Sequence, residues 1–152
     1  MTRLEELGGK LQLLANAIGE FDLELVAAKQ AEGEILSRAF NASGGYATDG
    51  SALPQYSEAY KKSKAFKKRK TGSSRWNLQL SDDLINSVHV VERGKDVYVA
   101  IVGPTEVVKA EGLEERAGKT IFELSDNERK EVIKTTQNIF NNLLRKAINK
   151  IF

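Results

Sequence analysis

The sequence predicts a single α+β domain, with a long N-terminal helix, a small antiparallel β-sheet built on a hairpin and a long C-terminal amphipathic helix. Two observations predict it: apolar residues recur at helical spacing near both ends, and two β-branched runs separated by a short turn lie between them. Helices grouped around a hairpin sheet are typical of this class. We expect the 152 residues to form one domain, 1–152, with an extended basic loop at about 41–77.

The first helix is indicated by apolar residues that alternate steps of three and four, at Leu4, Leu7, Leu11, Leu14, Ile18, Phe21, Leu25 and Ala28. This spacing places them on one face of a helix, and Ile35 and Ala39 continue the face. Adjacent glycines favour a break at Gly8-Gly9. Two interpretations stay open: the apolar face covers the sheet of its own chain, or it packs against a neighbouring subunit.

The middle of the chain carries turn residues and charge. Residues 41–55 are rich in Gly, Ser and Asp and predict a loop, and residues 56–66 favour a short helix. Residues 67–75 are expected to be flexible, with a turn at 71–74. Ser81 followed by Asp82 and Asp83 predicts a capped helical turn.

The β-hairpin is predicted from residues 88–91 and 97–102, which are rich in valine, and from the turn at 93–96. Both faces of the second run are largely apolar, so we expect both to be covered, one by helices and the other by a second layer or another subunit. A further short strand is predicted near residues 106–110.

The last helix has the clearest signals. Ser125 and Glu128 have the spacing of a capping box. Apolar and small residues then recur at helical spacing, at Val132, Thr136, Ile139, Phe140, Leu143, Leu144, Ala147, Ile148 and Ile151.

No combination of residues predicts catalysis, a metal or a cofactor. The chain has no cysteine, and its single histidine, His89, lies in a predicted strand without a partner for a triad or zinc site. Asp82 and Asp83 point about 100° apart on a helix, so capping explains them better than acid–base chemistry. Glu111, Glu114 and Glu115 are expected in a solvated mixed-charge loop, and a cation site there is the alternative. We therefore predict a protein that is not an enzyme.

The ends and the hydropathy predict no targeting or membrane segment. Acidic residues follow the first methionine too soon for a signal peptide. No window approaches the roughly 18 apolar residues that a membrane span needs.

A basic segment is the most conspicuous charged feature, although the net charge is only +2. Its candidate contact residues for a partner or DNA are Lys61, Lys62, Lys64, Lys67, Lys68, Arg69, Lys70 and Arg75. Cations neutralise phosphates and nearby aromatics stack on bases, so nucleic-acid binding is one interpretation. An acidic protein partner and a solvated mobile loop are the others.

Three stretches resemble a family of phage virion-morphogenesis proteins that includes tail-completion and head–tail joining (neck) proteins. YSEAYKKSK at residues 56–64 is similar to the family's Y-S-x-x-Y-x-x-x-K stretch. LQLSDDLINSV at 78–88 resembles its L-x-x-[ST]-G-x-[LM]-x-x-S-[IV] segment. KAEG at 109–112 and TIFELS at 120–125 resemble the segment before its last helix.

The resemblance implies a non-enzymatic α+β subunit of the neck or tail that forms a ring. It implies homo-oligomers that contact adjacent connector or tail-tube proteins, with packaged DNA as a further contact. The protein would belong to the virion and assemble in the cytoplasm of a bacterial host. A nucleic-acid-binding module that uses residues 61–70 is the alternative function.

Overall fold

The α+β class is confirmed by a computed structural model, which describes residues 2–68, 73–78 and 82–152. Its helices are α1 (Arg3–Gly19), α2 (Leu23–Ala39), α3 (Glu58–Lys61), α4 (Lys64–Lys67), α5 (Asp82–Asn86), α6 (Pro104–Ala117) and α7 (Asp126–Ile151). Strands β1 (Val88–Arg93) and β2 (Asp96–Ile101) form an antiparallel pair. The long N-terminal helix, the hairpin and the long C-terminal helix therefore occur in the predicted order.

The N-terminal helical region is divided into α1 and α2 at residues 20–22. The prediction of a break at Gly8-Gly9 is wrong, because both glycines lie inside α1. Asp22 sets the break, since its Oδ1 accepts a hydrogen bond from the Leu25 N–H at 3.0 Å and so starts a new helix. A capping box of Thr2 and Glu5 fixes the start of α1.

The hairpin lies against α2. Its strands pair with Val90 opposite Val99, and Gly94 in the turn has a φ of 63°. At the outer edge of β1, the Val90 N–H donates to Glu32 Oε2 of α2 at 2.9 Å. The face turned away from α2 carries His89 and Tyr98, both exposed. Coverage of that face by another subunit stays a prediction.

Helix α6 replaces the short strand predicted at 106–110 and the charged loop predicted around Glu111, Glu114 and Glu115. Both predictions are wrong. Pro104 occupies the first turn, where its fixed φ suits a helix and its missing N–H costs nothing. The valines at 107 and 108 suggested a strand, but burial of Ala110 on the inner face favours the helix.

The basic region starts with two short helices instead of the single helix predicted at 56–66. Ser57 caps α3 and Ser63 caps α4, because each hydroxyl accepts a backbone hydrogen bond three residues on. The first half of the turn predicted at 71–74, and the Ser81 cap, lie outside the described residues. The loop at 41–55 is observed, with an isolated bridge between Tyr46 and Ala52.

One arginine joins four distant parts of the chain. Arg38, at the end of α2, forms an ion pair with Glu128 at 2.6 Å, and each side chain is only 12% exposed. Its guanidinium also donates to the carbonyls of Tyr46 at 3.0 Å, Ile121 at 2.9 Å and Glu123 at 2.5 Å. Glu128 in turn completes the predicted capping box with Ser125 at the start of α7. Arg38 thus fixes α2, the 41–55 loop and α7 relative to each other.

The apolar core lies beside this arginine. Its buried residues come from α2, the 41–55 loop, α5, β1, α6 and the segment before α7, and they include Ala39, Phe40, Leu53, Leu84, Val88, Ala110 and Ile121. Helix α1 contributes no buried residue, and α7 buries only Val132 and Thr136, both in its first half. The packing is therefore concentrated at one end of the long helices.

We predict that Arg38→Ala lowers the free energy of unfolding by about 3 kcal/mol, because it leaves the nearly buried Glu128 without its cation. Three backbone carbonyls, of Tyr46, Ile121 and Glu123, each lose a donor as well. Urea unfolding measures the change. Arg145→Ala, at an exposed position of α7, is the control and should change stability by less than ~0.5 kcal/mol. A loss below about 1 kcal/mol for Arg38→Ala would contradict its central role.

Gly45 provides a second test, since a Cβ there would lie 2.1 Å from the carbonyl oxygen of Ala39. We predict that Gly45→Ala lowers the melting temperature strongly, because α2 and the loop must separate. Gly33→Ala is the matched control: nothing lies within 4 Å of its added Cβ, so it should stabilise α2 by up to about 1 kcal/mol. Equal melting temperatures for the two variants would show that the close approach is absent.

Candidate interaction surfaces

The basic segment stands on a fixed aromatic base. The rings of Tyr56, Tyr60 and Phe66 pack together with centroid separations of 5.2, 5.7 and 5.5 Å. The Tyr56 hydroxyl donates a hydrogen bond to Asn77 Oδ1 at 3.0 Å, and the backbone N–H of Tyr56 donates to the Ser74 carbonyl at 2.9 Å. The two ends of the segment are therefore held side by side. Because the rings of Tyr60 and Phe66 pack within this aromatic cluster, they are less suited to stacking on the bases of a nucleic acid.

Four lysines of the segment face solvent. We call Lys62, Lys64, Lys67 and Lys68 the basic cluster; all four are exposed, and no carboxylate among the described residues lies within 4.0 Å of them. Lys61 differs, since it is paired with Glu58 at 2.9 Å. Arg69 and Lys70 lie outside the described residues. Of the predicted contact residues, these four lysines are the ones the structure presents unpaired.

Arg75 has contacts within its own chain. Its Nη2 donates to the Gly44 carbonyl at 3.2 Å, and its guanidinium lies 4.9 Å from the centre of the Tyr46 ring. A cation over an aromatic face is stabilised by the ring quadrupole. Arg75 therefore helps to hold the 41–55 loop, a role that its place in a basic run did not indicate.

A second surface is the apolar side of α1 and the far half of α7. Phe21 packs on Phe140 at 5.5 Å, and Ala17, Ile18, Leu143 and Leu144 line a cavity of about 300 Å³ between the helices. Beyond this contact, the apolar side chains remain uncovered, with exposed fractions of 80% for Leu4, 46% for Leu7, 53% for Leu11 and 56% for Phe152. We call these four residues the apolar end.

A third surface is an acidic groove. It lies between the start of α2, the turn at 19–22 and strand β2, and it comprises two adjoining clefts of about 720 and 700 Å³. Among the described residues, its charged lining has two cations, Lys95 and Arg129, and six carboxylates: Glu20, Asp22, Glu24, Glu92, Asp96 and Glu123. None of these carboxylates lies within 4.0 Å of a described cation. Its floor is apolar and includes Ala28, Ala31 and Ile35.

The described part of the chain contains no group of three His, Asp or Glu side chains placed to hold a metal ion. His89 is exposed on the hairpin. Over the same residues, no helix combines the length and the apolar character that crossing a membrane requires.

Comparison with known proteins gave no match to a protein-family model, a curated protein or a solved structure.

Sequence reasoning missed two of these features. Arg38 and Glu128 are 90 residues apart, and a single sequence contains no signal that pairs them. The acidic groove takes its carboxylates from three separate stretches, at 20–24, 92–96 and 123, so it forms only after folding. The capping box did single out Glu128, although not its second role.

We predict that replacing Lys67, Lys68, Arg69 and Lys70 by Ser leaves the fold intact. Lys67 and Lys68 are exposed, so each replacement should change the free energy of unfolding by no more than about 0.5 kcal/mol. Binding to whichever acidic partner the segment contacts should weaken. Thermal unfolding measures the first effect, and a large fall in melting temperature would show that the segment is structural.

Proposed function

We propose that this protein is a non-enzymatic structural subunit of a phage neck or tail, a tail terminator, tail-completion or head–tail joining protein that acts by forming a ring. The resemblance of residues 56–64, 78–88, 109–112 and 120–125 to virion-morphogenesis proteins suggests the class. The observation that carries the proposal is the apolar end, a set of large side chains that the chain itself leaves in solvent.

Exposed apolar side chains are common singly, but a cluster of them marks an interaction surface. Leu4 and Leu11 share the predicted face of α1, and Phe152 lies near that helix, since Lys10 of α1 approaches its ring at 5.8 Å. A neighbouring subunit that covered them would gain about 25 cal/mol for each Å² of apolar surface removed from water. This supports the interpretation that α1 packs against another subunit.

Electron microscopy tests the proposal. We expect the purified protein to form rings, or the virion to show neck or tail density that fits the chain. Absence of both would remove the proposal. Because a free subunit sometimes assembles only on its partner, the virion image decides when the purified protein is monomeric.

A matched pair of variants connects the images to the apolar end. Leu4→Gln, Leu7→Gln and Leu11→Gln together should leave a folded chain that no longer assembles, because the surface becomes polar. Val108→Gln is the control, since Val108 is 67% exposed on α6, away from that surface. Unchanged assembly of the triple variant would show that the apolar end is not an interface.

The second candidate function is nucleic-acid binding by residues 61–70, which the unpaired basic cluster favours. Such binding releases counterions, so affinity should fall steeply as salt increases. Filter binding over a salt series measures it. Failure to retain DNA even at low salt would remove this candidate.

A further inference from the structure

The basic cluster and the acidic groove are opposite in charge, and neither is paired with a described residue of the chain. Four exposed lysines lie in α4 or directly after α3 and α4, and six carboxylates border the groove beside β2. The net charge of the chain is only +2, so the separation of charge is far larger than the total suggests. The ammonium groups of the basic cluster are therefore suitable partners for the carboxylates of the acidic groove.

We infer that the acidic groove receives the basic cluster of a second copy of this chain. The contact joins two different patches, so it is head-to-tail, and repeating it produces a closed ring or an open filament. The inference rests on the proposed ring function and adds to it the two surfaces that meet, together with the direction in which subunits follow one another.

The shape of the two surfaces fits this contact. Helices α3 and α4 pack on each other, and both pack against the ring of Tyr56. The lysines therefore extend from a packed part of the structure. The groove is wide, and its floor contains the small side chains of Ala28 and Ala31. The methylene stems of the lysines suit such a floor, while their ammonium groups reach the carboxylates at the border.

The charges also oppose a symmetric contact. Two basic clusters, or two acidic grooves, repel each other when they are placed face to face. When the basic cluster of one copy faces the acidic groove of the next, positive charges meet negative charges. Interactions between exposed charges extend about 8 Å at physiological salt, so high salt should weaken the contact.

Two charge-reversed proteins test this pairing. The first carries Lys62→Glu, Lys64→Glu, Lys67→Glu and Lys68→Glu. The second carries Glu20→Lys, Glu24→Lys, Glu92→Lys and Glu123→Lys. Asp22 and Asp96 stay unchanged, because Asp22 caps α2 and Asp96 accepts the Tyr98 hydroxyl at 3.2 Å. Glu115→Lys with Glu131→Lys is the control, since both carboxylates are exposed outside the groove.

We expect each reversed protein alone to associate at least tenfold more weakly than the wild type in sedimentation velocity. An equimolar mixture should recover association, because each cluster then meets a groove of opposite sign. The control pair should behave as wild type. Wild-type association of either reversed protein, or a mixture that remains monomeric while the wild type assembles, would overturn the inference.

Disulfide trapping covers the case of a weak contact in the free protein. The chain has no cysteine, so Lys64→Cys with Glu24→Cys introduces one thiol on each surface without background. Oxidation should produce a ladder of dimers, trimers and larger oligomers, while each single variant stops at dimers. Absence of the ladder at high protein concentration would overturn the inference.

The outcomes separate this contact from the proposed function. Neck or tail density without a ladder removes the contact and leaves the function. A ladder without such density supports the contact and removes the proposed function. If the lysine-reversed protein assembles as wild type and loses only DNA retention on a filter, the basic cluster serves nucleic acid and the inference is wrong.

Discussion

Arg38 and Glu128 form a nearly buried ion pair that holds the end of α2 against the start of α7. A guanidinium and a carboxylate that are each nearly buried are costly unless both are fully hydrogen-bonded. Arg38 meets that requirement with one carboxylate and three backbone carbonyls, and Glu128 also accepts the Ser125 N–H. These partners come from three parts of the chain outside α2, so satisfying one buried charge fixes the end of α2, the 41–55 loop, residues 121–123 and the start of α7 relative to each other.

The long helices extend away from this point, and their far ends lack comparable packing. Helix α1 has no buried residue, and the second half of α7 has none. The chain thus combines a fixed centre with an apolar end, an acidic groove and a basic cluster that the described residues leave unpartnered. A subunit whose neighbours complete its packing has this distribution. The proposed ring gives each of these surfaces a partner.

Local signals predicted the parts of the fold that local interactions decide. The hairpin followed from two β-branched runs, and the start of α7 followed from the spacing of Ser125 and Glu128. Helix α6 was missed because valines 107 and 108 suggested a strand, whereas packing of Ala110 decided the outcome. The break between α1 and α2 was placed at two glycines, although the capping of Asp22 determines it. The basic segment was found from composition, but its matching groove depends on long-range folding.

In the proposed ring, neighbouring copies cover the apolar end. Amide hydrogen exchange of α1 tests it most directly, because a helix without buried residues opens at low free-energy cost in an isolated chain. We expect rapid exchange across residues 3–19 in the free subunit and at least tenfold slower exchange in the assembled particle. Equal exchange rates in the two states would contradict it.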